Sequence, residues 1–112
     1  MTETLTAALT DALGDVRTRA TDRLAYAHDA SHFVLTPQAV VVPRDAAEVG
    51  RLFAAARRAG VPLTFRSGGT SLSGQAVTGG ILADTRRHFR RIEVLDDGAR
   101  VRVGPEIGRA HV

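Results

Sequence analysis

The sequence predicts an α/β (α+β) protein: a small mixed sheet that carries a βαβ unit and ends in a β-hairpin. Three observations carry this expectation. Short strand-like runs, apolar or alternating, recur near residues 39–42, 61–66, 80–84, 91–96 and 99–103. An amphipathic stretch with both a start and a stop signal separates the first two. The last two flank Asp96-Asp97-Gly98, whose Asp-Gly pair is a hairpin signal.

Each element has its own local reason. Leu5, Ala8, Leu9, Ala12 and Leu13 repeat at helical spacing, which predicts an amphipathic helix over residues 3–13 that stops at Gly14. Asp22 to Tyr26 reads as a further helical turn. Ala27 to Gln38 is polar apart from Phe33-Val34-Leu35. Ala39-Val40-Val41-Val42, closed by Pro43, reads as a buried strand. Asp45 then caps a helix, with Glu48 three residues later as the other half of a capping box. Val49, Leu52, Phe53 and Ala56 are expected on its apolar face, with Arg51, Arg57 and Arg58 elsewhere. Gly60 ends it. Val61 to Phe65 is the next strand, so strand, helix and strand fit a right-handed βαβ unit. Ile81 to Asp84 is a further strand. Arg86 to Arg91 is a basic stretch around His88 and Phe89: a phosphate-facing patch or, as the default, a solvated loop. Ile92 to Leu95 and Ala99 to Val103 form the hairpin.

Composition excludes several functions. At 112 residues the chain is one modest domain at most. The net charge of +3 is compatible with nucleic acid, but aromatic residues for stacking make up only 4%, so no nucleic-acid partner is expected. All 15 basic residues are arginine, a usage that points to a GC-rich genome. No apolar run approaches the ~20 residues of a membrane span. Met1-Thr2-Glu3-Thr4 lacks the features of a secretory leader. The absence of cysteine removes disulfide and thiol chemistry. A cytoplasmic location is the expectation. His28 and His32 share an i, i+4 spacing but have no third ligand in view, so no metal site is expected.

The chemistry concentrates after the strand Val61 to Phe65, in Arg66-Ser67-Gly68-Gly69-Thr70-Ser71-Leu72-Ser73-Gly74-Gln75. Glycine lets backbone approach a ligand closely, and successive N–H groups in such a turn converge into an anion-binding nest. The hydroxyls of Ser67, Thr70, Ser71 and Ser73 add donors, and Arg66 adds a fixed cation. These groups suit a diphosphate better than a metal or a nucleophile. The loop is neither a Walker loop, since the chain has no lysine, nor a Gly-x-Gly-x-x-Gly fingerprint, since Gly68, Gly69 and Gly74 miss that spacing. A flexible Gly/Ser linker is the plain alternative. Strand-like runs close on both sides argue against it.

This loop, with the preceding Pro43-Arg44-Asp45-Ala46-Ala47-Glu48-Val49, resembles the FAD-binding domain of the vanillyl-alcohol oxidase and p-cresol methylhydroxylase type. The likeness runs from about Gln38 to Pro105 and is strongest to the glycolate oxidase FAD subunit and D-lactate dehydrogenase branch. The resemblance implies that Arg66, Ser67, Gly68, Gly69, Thr70, Ser71, Leu72, Ser73, Gly74 and Gln75 wrap the FAD pyrophosphate. Many relatives carry a flavin-linked histidine where this chain has Thr70, so FAD is expected to be held non-covalently. An FAD-dependent oxidoreductase of small 2-hydroxy acids, of the D-lactate or glycolate type, is the implied complete enzyme. A stand-alone nucleotide- or phosphate-binding module without redox activity is the alternative.

The expected organisation has three parts. Residues 1–36 are a helical lead-in, and residues 37–105 are a partial FAD-binding domain. Residues 106–112, Glu-Ile-Gly-Arg-Ala-His-Val, are what a common short-read sequencing adapter encodes, with a stop codon next in frame. They are expected to be a read-through scar on a truncated gene. On that expectation no residue here is catalytic, and the piece alone is inactive.

Overall fold

A computed structural model describes residues 3–108. In chain order the elements are α1 (Glu3–Ala12), β1 (Val16–Arg17), α2 (Ala20–Ala25), β2 (Ala39–Val41), α3 (Ala46–Ala59), β3 (Leu63–Arg66), β4 (Ile81–Asp84), β5 (Ile92–Leu95) and β6 (Arg100–Val103). Four strands form one mixed sheet in the order β1-β2-β4-β3. β2 and β3 both run parallel to β4, and β1 runs antiparallel to β2. The strand–helix–strand unit β2-α3-β3 is therefore present, but its two strands lie on opposite sides of β4 instead of pairing directly. β5 and β6 form their own antiparallel ribbon, joined by a tight turn in which Asp96, Asp97 and Gly98 all have positive φ.

The alternation of strand side chains gives the sheet two covered faces. Ala39, Val41, Ile81 and Ala83 point to one face, where they meet Leu5, Leu9, Ala12 and Leu13 of α1 and the Leu13 end, and Leu52, Ala55 and Ala56 of α3. Val40 and Leu82 point to the other face and are fully buried. Both faces of β2 and β4 being dry explains why these strands read as continuous apolar runs. On the hairpin, Ile92, Val94, Val101 and Val103 share one exposed face, as the pairing of Ile92 with Val103 and Val94 with Val101 requires.

Helix α3 starts where Asp45 accepts a hydrogen bond from Glu48 N–H at 2.9 Å and ends at Gly60 in the left-handed region (φ 66°). Two expectations about it are corrected. Glu48 does not reach back to the capping residue. Its carboxylate accepts instead from Arg44 N–H (2.8 Å) and from Gly14 N–H (3.2 Å), tying the end of α1 to the start of α3. Burial alone would raise this carboxyl, but the Arg44 and Gly14 hydrogen bonds and the Arg44 charge outweigh it and hold it below the ordinary range. The second correction is Phe53, which is 55% exposed while Leu52 is fully buried. Phe53 lies about 100° around the helix from Leu52 and reaches the margin of the sheet at the edge strand β3. There its ring meets Phe65 with centroids 5.6 Å apart.

Candidate functional site

The loop from Ser67 to Gly80 leaves the carboxyl end of β3 and returns as β4, which places it on the edge where open parallel sheets bind ligands. It is irregular throughout, neither helix nor ladder. A hollow of about 310 Å³ is lined by Phe65, Arg66, Ser67, Gly68, Gly69, Thr70, Ser71, Gln75 and Ala76. Leu72, Ser73 and Gly74 belong to the same loop but do not line the hollow, and Leu72 is 80% exposed.

Arg66 organises the loop from beneath. Its Nη1 donates to the carbonyl of His28 at 2.9 Å, with the Tyr26 and Ala76 carbonyls at 3.4 Å, and its Cζ stands 5.1 Å from the centre of the Tyr26 ring. Gly69 lies against the same guanidinium with φ 71°. The hollow is thus closely backed by an immobilised cation. Ser71 Oγ accepts from the Ser73 and Gln75 N–H groups, both at 3.2 Å, which fixes the far turn of the loop. Gly74 lies against the Phe33 ring. Among the described residues, the backbone N–H groups of Gly68, Gly69, Thr70, Ser71 and Leu72 make no hydrogen bond within the chain. Five donors in succession, beside the free Thr70 hydroxyl and over a fixed positive charge, suit a phosphate-class anion.

Three residues that sequence reasoning passed over hold this site. Asp29 accepts from Ser31 N–H (2.8 Å) and Ala76 N–H (3.3 Å), pinning the lead-in segment to the end of the loop. Hydrogen bonding from Ser31, then from Ala76, with the Arg66 charge in support, holds its carboxyl below the usual value. The Asp29-Ala30-Ser31 spacing is a local turn signal that was available in the sequence. Tyr26 donates its hydroxyl to Asp84 Oδ2 at 2.5 Å. Burial first, and then this hydrogen bond, push the phenol above its ordinary value. Glu106 accepts the hydroxyls of both Ser67 and Thr85, bridging the start of the loop to the end of β4. Nothing local in the sequence signals either long-range contact. Glu106 to Gly108 are the described part of the segment read as a scar, and residues 109–112 lie outside the described residues.

His28 and His32 do not share a helix, since residues 28 and 34 form an isolated bridge across a tight turn. No cluster of potential metal ligands occurs among the described residues. No helix among them is long and apolar enough to cross a membrane.

Comparison with known proteins places this geometry. The family described as FAD binding domain matches residues 37–107. Over 102 residues the chain is 39% identical to a D-2-hydroxyglutarate dehydrogenase of Escherichia coli (strain K12), covering 88% of this chain and 9% of that protein. The chain therefore spans under a tenth of that relative's length. Among solved structures, chitooligosaccharide oxidase superposes with a TM-score of 0.76 at 19% identity, covering 93% of this chain and 23% of the other. A substrate-bound p-cresol methylhydroxylase superposes with a TM-score of 0.70 at 17% identity, covering 86% and 21%. These two likenesses are of fold.

Proposed function

Since this chain belongs to the FAD binding domain family, we propose that it supplies the pyrophosphate-binding part of a longer FAD-dependent oxidoreductase that acts on a small 2-hydroxy acid. The observation that carries the proposal is the run of unpaired N–H groups from Gly68 to Leu72, held over the Arg66 guanidinium at the carboxyl edge of the sheet. The residues present fit a diphosphate. The backbone approach at Gly69 leaves no room for a side chain, the donors need no counter-charge, and Thr70 keeps a free hydroxyl.

In this reading Ser67 to Gln75 bind and orient the cofactor by backbone and hydroxyl contacts, and Arg66 contributes its charge from beneath while its Nη1 is committed to carbonyl groups. Bound FAD supplies the electron-accepting chemistry, and the protein supplies position and electrostatics. Thr70 forms no covalent link. Its hydroxyl is a weak nucleophile, and no described base is hydrogen-bonded to it. The likeness to D-2-hydroxyglutarate dehydrogenase favours 2-hydroxyglutarate over the lactate or glycolate suggested by the sequence. Cofactor and substrate are small molecules in this reading.

The test is to purify the complete gene product, record its flavin spectrum, and assay D-2-hydroxyglutarate, D-lactate and glycolate with an artificial electron acceptor. A bound flavin with preferred turnover of 2-hydroxyglutarate is expected. A colourless protein that still binds pyrophosphate is the outcome that favours the stand-alone phosphate module and defeats the oxidoreductase reading.

A further inference from the structure

A second hollow, of about 270 Å³, opens near the carboxyl end of β4. Its polar lining is Arg17, Tyr26, Asp84, Arg86, Arg87 and Arg90, and no residue lines both this hollow and the loop hollow. Tyr26 separates the two. Its ring face meets Arg66, and its hydroxyl reaches Asp84.

The charges around it divide into paired and unpaired. Arg17 is bound to Asp15 through two hydrogen bonds of 3.0 and 3.1 Å. Asp84 is almost fully buried, and both of its oxygens are engaged, Oδ1 by Arg86 N–H (2.9 Å) and Oδ2 by Tyr26. The guanidinium groups of Arg86, Arg87 and Arg90 have no hydrogen bond or ion pair to any described residue. Arg91, next in sequence, pairs with Glu93 at 3.2 Å. All four arginines of the basic stretch are exposed, but they are not equivalent: Arg91 is matched on the hairpin, and the other three gather at one concavity. Positive charge prevails there after Asp15 offsets Arg17 and Asp84 offsets one of the three. A concave site with one sign of charge concentrates ions of the other sign. The guanidinium fork matches an oxyanion in shape as well as charge.

We infer that Arg86, Arg87 and Arg90 form a second oxyanion site, which takes a phosphate or carboxylate group beside the Tyr26–Asp84 pair. The inference is independent of the FAD reading of the loop.

Tyr26 makes the test local, because the chain has one tyrosine and no tryptophan. Tyrosine fluorescence of the purified chain is followed while inorganic phosphate or, separately, glutarate is added at constant ionic strength. A saturable change with at least one anion is expected, and the tighter of the two identifies which oxyanion the site prefers. Arg86→Ala and Arg90→Ala are each expected to weaken binding about tenfold, the usual scale for losing one charge-assisted contact. Arg57→Ala removes an exposed arginine of α3 outside the hollow and is expected to change nothing. Far-UV circular dichroism verifies that each variant is folded. The inference is overturned by no saturable response to either anion. It is also overturned by equal weakening in Arg57→Ala, which would mean diffuse attraction, or by an undiminished response when all three arginines are replaced, which would place the anion on the loop.

Discussion

Gly69 and Arg66 occupy one another's space: a methyl group built on Gly69 would stand 2.2 Å from Arg66 Nη2. Arg66 cannot yield freely, because its Nη1 is held by the His28 carbonyl and its guanidinium lies over the Tyr26 ring. Gly69 also sits at φ 71°, a region that disfavours any other side chain. Gly69→Ala is therefore expected to destabilise the chain by about 1–3 kcal/mol and to weaken FAD binding in the complete protein. Gly68→Ala meets nothing closer than Thr70 Cγ2 at 3.7 Å and is expected to be mild. Urea denaturation of the two variants side by side decides this. Equal stability would show that Arg66 moves aside without cost.

The packing of α3 separates two adjacent residues. Leu52→Ala removes a fully buried side chain and is expected to lose about 2–5 kcal/mol. Phe53→Ala removes a half-exposed ring with Phe65 as its aromatic neighbour and is expected to lose about 1 kcal/mol. Denaturation midpoints for both variants check the order. A larger loss at Phe53 would mean that α3 is rotated from the position described.

Acid stability follows from Glu48. Its carboxyl is depressed in the folded chain, so its contribution is fully present above its unfolded value and is lost as pH falls through the folded value. Asp29 acts in the same direction. The wild-type urea midpoint is expected to fall as pH drops below about 5, the range in which unfolded carboxylates protonate. Glu48→Gln is expected to be less stable at neutral pH, because Arg44 N–H and Gly14 N–H lose a charged acceptor, and to have a flatter acid limb. An unchanged acid slope in the Gln variant would remove Glu48 from the account.

Acid precipitation of the complete protein is expected to leave flavin in the supernatant, because Thr70 offers no imidazole for a covalent link. Flavin remaining in the pellet, with the attachment mapped to Thr70, is the contrary result.

Much of this was legible before any coordinates. The helix Ala46–Ala59 carries its own punctuation in Asp45 and Gly60, and the strands around 39–41, 63–66 and 81–84 announce themselves as short, largely apolar runs. The loop was visible through its glycines. Long-range relations were not. β1 is two residues long and exists through pairing with Val40 and Val41. The exposure of Phe53 depends on where the sheet ends. Arg66 read as a fixed cation, but what fixes it, the carbonyls of the lead-in segment, is a contact across 38 residues that no local pattern encodes. Tyr26, Asp29 and Glu106 support the loop for the same reason: tertiary geometry chose them.

The central position of β4 bears on the order in which this chain assembles. Both parallel pairs of the sheet include β4, and β3 has no other partner. β2, α3 and β3 are all synthesised first. A nascent chain halted before Ile81 therefore contains no parallel pair, and the Leu63–Arg66 edge stays unmatched, as does the Arg66 carbonyl that later accepts from Thr85 N–H. The loop over residues 67–80 is the last connection to be spanned before the sheet closes. Its shape is an outcome of closure, so a substitution that slows the seating of Ile81 to Asp84 delays the appearance of the loop hollow itself.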